Sequence, residues 1–191
     1  MCTRKKQSLA AMLWTAFLPA TLMAGVHFGS LLLTDNFHEV VPGQLYRSAQ
    51  PSGADLSDYK SRYGIRTVIN LRGPSEGAWY RDEVEAAARE GLVHIDFPMS
   101  ASRALTAEKS RKLIAILRDA PKPILIHCKS GADRTGLASV IYSSQIAGRD
   151  EETAERQLSI ASGHIAIPFL SSAFAMDESW ESLEAALGMP G

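Results

Sequence analysis

The chain has 191 residues, nearly half of them apolar, with 20 Lys and Arg against 21 Asp and Glu. That size buries one good core and not two, and the near-neutral balance excludes the basic surface that a nucleic-acid binder needs. Two cysteines, one of them Cys2, exclude a disulfide framework.

The chain opens with Arg4, Lys5 and Lys6, and then runs from Leu9 to Leu33 without Asp, Glu, Lys or Arg. As a helix this segment would reach roughly 37 Å, more than the ~30 Å hydrocarbon core of a bilayer. It is expected to be a membrane anchor over residues 9–33 behind a basic tail, 1–8. The clustered positive charge favours a cytoplasmic N-terminus, with the rest of the chain on the far side of the membrane. A cleaved signal peptide is the alternative, with Leu9 to Leu18 as its apolar region and Ala20 or Ala24 before the cut; a buried core helix is a third. All acidic residues lie from Asp35 onward, so the remainder is acidic, with 17 Lys and Arg against 21 Asp and Glu.

Residues 34–43 read as a linker, and Gln44 to Arg47 as a first short strand. Ser52 and Asp55 form a capping-box pattern for a helix to about Arg62. Ile65 to Leu71 is a buried strand, Glu83 to Glu90 the core of a helix ended by Gly91, and Leu92 to Phe97 another strand. Thr106 caps a helix to about Asp119, and Ile124 to Cys128 is the next strand. Thr135 to Ala147 follows as a helix, with two more expected from Asp150 to about Ile160 and from Pro168 to Leu187. The alternation predicts a three-layer α/β domain over 44–191, with a central, mostly parallel sheet of four to five strands flanked by helices.

The chemistry concentrates where the last strand meets its helix, at Ile126-His127-Cys128-Lys129-Ser130-Gly131-Ala132-Asp133-Arg134-Thr135-Gly136. A loop entering a helix turns successive N–H groups into one hollow, and the helix N-terminus adds about half a positive charge, so Lys129 to Arg134 suit a phosphate dianion. Beside that charge and an arginine, a thiol is shifted toward thiolate, the attacking species, which makes Cys128 the candidate nucleophile. Arg134 offers a planar fork for two phosphoryl oxygens. Gly131 allows close backbone approach, His127 orients the loop rather than acting as a base, and the Thr135 hydroxyl is expected to hydrogen-bond the thiolate. A lone cysteine is more often a small core residue. Here the arginine six residues on and the glycines at 131 and 136 favour the functional reading.

His127-Cys128, five residues, then Arg134-Thr135-Gly136 resembles the signature of cysteine-dependent protein tyrosine phosphatases, and in particular their small dual-specificity-like branch. Leu45-Tyr46-Arg47-Ser48-Ala49-Gln50-Pro51, followed by Gly64-Ile65-Arg66-Thr67-Val68-Ile69-Asn70-Leu71-Arg72, is similar to the N-terminal half of bacterial and atypical members. The resemblance covers about residues 40 to 185. It implies a phosphatase-like fold and a two-step reaction in which Cys128 takes the phosphoryl group and water releases it, with no metal or other cofactor.

The family usually supplies a general acid, an aspartate, from the loop after the strand that here is Leu92 to Phe97. In this chain that loop, Pro98 to Leu105, contains no carboxylate, and Ser100 to Ser102 stand where the aspartate is expected. Asp133, just before Arg134, is the first substitute, as in some lipid phosphatases with the same signature architecture. Asp96 is the second, unless it pairs with a structural arginine such as Arg47. Arg72 to Gly77 are expected at the rim, with Trp79 or Tyr80 either a platform for substrate or packing for the next helix. Lys129 is the one basic side chain in the loop besides Arg134, which favours a phosphoprotein or a simple phosphomonoester over highly phosphorylated inositol lipids. A phospho-binding module without turnover and a sulfur-transfer enzyme are the readings from other classes.

Overall fold

The computed structural model describes residues 9–188. The basic tail 1–8 lies outside the described residues, as do the side chains of Leu9 to Leu18. The helix Leu9–Leu33 (α1) forms over the charge-free segment. Counted over the described residues, no helix is long and apolar enough to cross a membrane, so the expected span finds no support in the fold. Gly25, His27, Gly29 and Ser30 interrupt the apolar run in the second half of α1. That half also leans on the rest of the chain. His27 Nε2 lies 3.0 Å from the Ile160 carbonyl, and Leu31 packs against Gly163.

The supposed linker is not one. His38–Val41 forms a strand (β1) antiparallel to Leu45–Ser48 (β2), so the sheet starts inside residues 34–43. Gly53–Tyr63 (α2) carries the full capping box of Ser52 and Asp55, and Gly64 ends it in the left-handed conformation. Thr67–Asn70 (β3), Ala78–Glu90 (α3), Val93–Asp96 (β4), Ala107–Asp119 (α4), Ile124–His127 (β5) and Asp133–Gln145 (α5) then alternate as expected.

Two helices depart from the sequence reading. Glu151–Glu155 (α6) stops well before Ile160, because the Gln157 carbonyl is drawn away to accept from Arg47 at 2.8 Å and from Ser162. Phe174–Leu187 (α7) starts six residues after Pro168. Phe169 sits at φ 64, which a helix does not allow, and Ser171 Oγ caps the Ala173 amide instead.

The sheet order is β1-β2-β5-β3-β4, parallel from β2 onward. One core lies between the sheet and α4, α5 and α7, with Leu113, Leu137, Ile141 and Trp180 against Ile69 and Ile126. A smaller one lies under α2 and α3, where Leu56, Tyr59 and Ala86 meet Val68 and Leu125. The result is a mixed α/β fold whose five-stranded sheet is flanked by helices.

β5 runs up the centre, as Ile-Leu-Ile-His buried on both sides demands. Its carboxyl end, the place where ligands bind in such sheets, delivers Cys128.

Candidate active site

The loop from Cys128 to Ala132 is held from outside by its own carbonyls. Arg47, fully buried on β2, donates from Nη2 to the carbonyls of Gly131 and Ala132 at 2.7 and 3.0 Å. Asn36 Nδ2 donates to the Ser130 carbonyl at 3.0 Å, and the Gln50 amide to that of Lys129 at 3.3 Å. With the oxygens fastened outward, the opposite faces of the peptides turn inward. Among the described residues, no backbone N–H from Lys129 to Arg134 donates to another protein group. Gly131, at φ 71, is required twice over, since a Cβ there would stand 2.7 Å from the Ala49 nitrogen. The outcome is a nest of amides at the N-terminus of α5, with Cys128 buried at its base.

Burial pushes the Arg47 guanidinium down to about 10, although the nearby Cys128 and Asp133 act in the opposite direction. It remains a cation at neutral pH beneath the loop. Arg47 is thus a positioning group for the cradle, and it does not pair with Asp96. Asp96 accepts from Asn70 at 2.8 Å and from the Tyr80 hydroxyl at 2.5 Å, a bond that raises Tyr80 to about 12.

Arg134 lies on the first turn of α5, and its one protein hydrogen bond among the described residues goes to the Met99 carbonyl at 3.4 Å. The rest of its fork is free for an anion. The loops after β3, β4 and β5 converge here, because the Leu71 amide donates to the His127 carbonyl and the Met99 amide to that of Leu71. His127 is fully buried, with Nε2 2.9 Å from Glu83 Oε1. The Thr135 hydroxyl is buried without a hydrogen bond, so the expected bond to the Cys128 thiol is not made in this state.

Two networks escaped sequence reading. Glu83 of α3 is fully buried, and its carboxylate is shared by His127, His94 at 2.7 Å and Gln50 at 2.6 Å. Burial alone would raise this carboxyl, but the hydrogen bonds from the two histidines and the glutamine hold it at about 2.

Asp133 has a partner that only the fold reveals. His164 Nδ1 lies 2.8 Å from Asp133 Oδ1, and His164 Nε2 lies 3.0 Å from Asp177 Oδ2. Burial works to lower this imidazole, and the two carboxylates outweigh it and raise it. Asp133 is therefore fastened to a histidine that favours the charged form, and Asp96 is engaged on the other side. The loop Pro98 to Leu105 borders a cleft of about 540 Å³ with Arg103 and Lys109 on its wall and no carboxylate.

For metal, the one candidate cluster among the described residues is Glu151, Glu155 and Glu184, on α6 and α7 rather than on the loops that carry Cys128.

A model described as the tyrosine phosphatase family matches residues 27–158. Over 126 residues the chain is 30% identical to the dual specificity protein phosphatase TpbA of Pseudomonas aeruginosa, across 64% of this chain and 53% of TpbA. The chain thus spans about half the length of the curated relatives it matches. A crystal structure of P. aeruginosa TpbA aligns with TM-score 0.56 and 26% identity, over 81% of this chain and 92% of that one. The core catalytic domain of the PP-IP phosphatase SIW14 from S. cerevisiae, in complex with citrate, aligns with TM-score 0.59 over 80% of this chain and 93% of that one; at 22% identity this likeness speaks for the fold alone.

Proposed function

The chain belongs to the tyrosine phosphatase family, and from that premise we propose that it hydrolyses phosphomonoesters through a phosphocysteine on Cys128, with phosphotyrosine or a dual-specificity phosphoprotein as substrate. The observation that carries this reading is the cradle, in which inward amides and the free fork of Arg134 surround the buried thiol of Cys128.

The thiolate attacks phosphorus in line with the ester oxygen, which leaves with the bonding pair, while Arg134 and the amides of Lys129 to Arg134 hold the equatorial oxygens. Water then attacks the phosphocysteine, and the sulfur recovers its electron pair. A tyrosyl oxygen, with a pKa of about 10, departs far more readily than an alkoxide when no acid stands ready. The carboxylate-free loop therefore favours phosphotyrosine over phosphoserine. Two substitutions assess the candidate acids. Asp133→Asn and Asp96→Asn are compared on phosphotyrosine and on an activated aryl phosphate, and a residue whose loss does not selectively slow the poorer leaving group is not the acid.

A second reading, an inositol phosphate as substrate, is favoured by one observation, a further arginine at the rim. The test of both is turnover of p-nitrophenyl phosphate, phosphotyrosine peptides and phosphoinositides by the full chain beside Cys128→Ser. Binding without turnover by the unaltered chain would leave a phospho-binding module instead.

The localisation reading rests on sequence. The charge-free segment behind Arg4, Lys5 and Lys6 supports a tether or leader that carries the domain to the non-cytoplasmic side, the periplasm in a bacterium. Fractionation of cells expressing the full chain tests it, and recovery in the soluble cytoplasmic fraction overturns it.

A further inference from the structure

Away from the cradle, three carboxylates converge between α6 and α7. Glu151 and Glu155 stand four residues apart, so they share one face of α6, which Asp150 caps through the Thr153 amide at 2.9 Å. Glu184 comes to them from α7. Each of the three offers a carboxylate oxygen, and these oxygens lie within 4.8 Å of one another. Trp180, one turn before Glu184 and buried, donates from Nε1 to Glu155 Oε1 at 3.0 Å, which ties the two helices beside the cluster.

Acidic groups gathered on a surface are ordinary, because water satisfies them. Glu184 is different. It is 6% exposed, and among the described residues its buried Oε1 has no hydrogen-bond partner. Taking a carboxylate oxygen out of water without a donor or a cation is costly. The protein does not supply the missing charge either. Among the described residues, none of the three carboxylates forms an ion pair with Lys, Arg or His. Arg156, next to Glu155 in the chain, is turned to Glu152 at 2.7 Å.

We propose that Glu151, Glu155 and Glu184 bind a hard divalent cation, calcium above all, which pins α6 to α7. A set of donors made only of oxygen suits calcium, magnesium or manganese and not the softer metals. A calcium ion, at about 2.3 to 2.6 Å from each oxygen, bridges separations up to the 4.8 Å limit; magnesium, at about 2.0 to 2.1 Å, does so only if the ligands close in. Calcium also accepts irregular shells completed by water. A crevice of about 150 Å³ bordered by Glu155, Trp180 and Glu181 adjoins the cluster and gives that water room. The site is separate from the phosphoryl chemistry, so the proposal stands or falls independently of the phosphatase reading.

The experiment strips the full chain of metal with a chelator and then follows calcium by calorimetry, thermal unfolding and terbium luminescence. Calcium is expected to bind at one site per chain with a Kd of about 10⁻⁴ M. At a hundredfold excess over that Kd it should raise Tm by about 5 to 10 °C, and magnesium at the same concentration by less than about half as much. Terbium takes oxygen ligands as calcium does, and Trp180, in contact with Glu155, sensitises its emission.

Glu184→Gln keeps the shape and removes the charge. It should weaken calcium at least about tenfold and abolish both the terbium emission and most of the rise in Tm, without lowering Tm of the metal-free protein. Glu151→Gln should also weaken calcium, and it decides the matter if Glu184→Gln does not fold. Glu178→Gln, which alters an exposed acid of α7 outside the cluster, should leave all three readouts unchanged. No rise in Tm and no terbium emission in the unaltered chain overturn the proposal and leave the carboxylates to share a proton. Calcium binding of unchanged strength in Glu184→Gln and Glu151→Gln overturns it as well, since the ion is then held by general surface acidity.

Discussion

Two loops leave the same end of the sheet, and they are built in opposite ways. The loop after β5, with Cys128, Gly131 and Ala132 buried, is fastened at four consecutive carbonyls by Gln50, Asn36 and Arg47. The loop after β4 is exposed from Ala101 to Ala104, and its ties are made at its ends, where Met99 meets Leu71 and the Leu105 amide donates to Ser179. Binding and nucleophilic attack depend on groups set during folding. Protonation of the leaving group is assigned to the loop with the least support, and here that loop has no acid at all. The contrast points toward substrates whose leaving group can depart unaided.

The anchored side can be broken at its hub. Glu83→Ala strands His127, His94 and Gln50, and about 3 to 5 kcal/mol of stability should be lost in urea unfolding near neutral pH. Because Glu83 is held at about 2, its contribution is present above its unfolded value and disappears as pH falls toward 2, so the gap between variant and unaltered protein should close there. Arg134→Ala should leave the fold intact and lower kcat by about 10² to 10³, the usual cost of removing one donor to a charged transition state. Stopped assays on p-nitrophenyl phosphate check it.

The open side can be sharpened by addition. Ser102→Asp places a carboxyl in the loop after β4 and should raise kcat/KM on phosphotyrosine by about tenfold at mildly acidic pH, a modest share of what general acids supply, with little change on an activated aryl phosphate. An unchanged ratio between the two substrates would mean that leaving-group protonation is not the limiting difference.

The smallest effect concerns His164. Its raised value stabilises the fold fully below its unfolded value, about 6.5, and the contribution is lost as pH rises through the folded value. His164→Asn should therefore lower Tm by about 2 to 4 °C at pH 6, corresponding to about 1 kcal/mol, and by less at pH 9.

The contrast also explains what could be read from the sequence. Cys128, Gly131, Arg134 and the capping box of Ser52 and Asp55 are local, so residue type and spacing betray them. β1 was hidden in an apparent linker because four residues, His38–Val41, make too short a pattern to register. The partners that fix the site are distant in sequence. Glu83 lies 44 residues from His127, and His164 lies 31 residues from Asp133. A histidine and two aspartates scattered over three segments carry no periodic signal, so Asp133 read as a free acid until the fold paired it. Arg47 is visible in the sequence as part of a motif and as a structural arginine for Asp96; its donation to the carbonyls of Gly131 and Ala132 follows from the pairing of β2 with β5, which no local pattern specifies.

The central claim is covalent, and rapid acid quench of the full chain mixed with ³²P-labelled aryl phosphate tests it most directly. The account predicts labelled protein that accumulates to about one phosphate per chain at most, maps to the peptide bearing Cys128 when digested under alkaline conditions, and is absent in Cys128→Ser together with turnover. Turnover that survives in Cys128→Ser, or label found on any other residue, would contradict it.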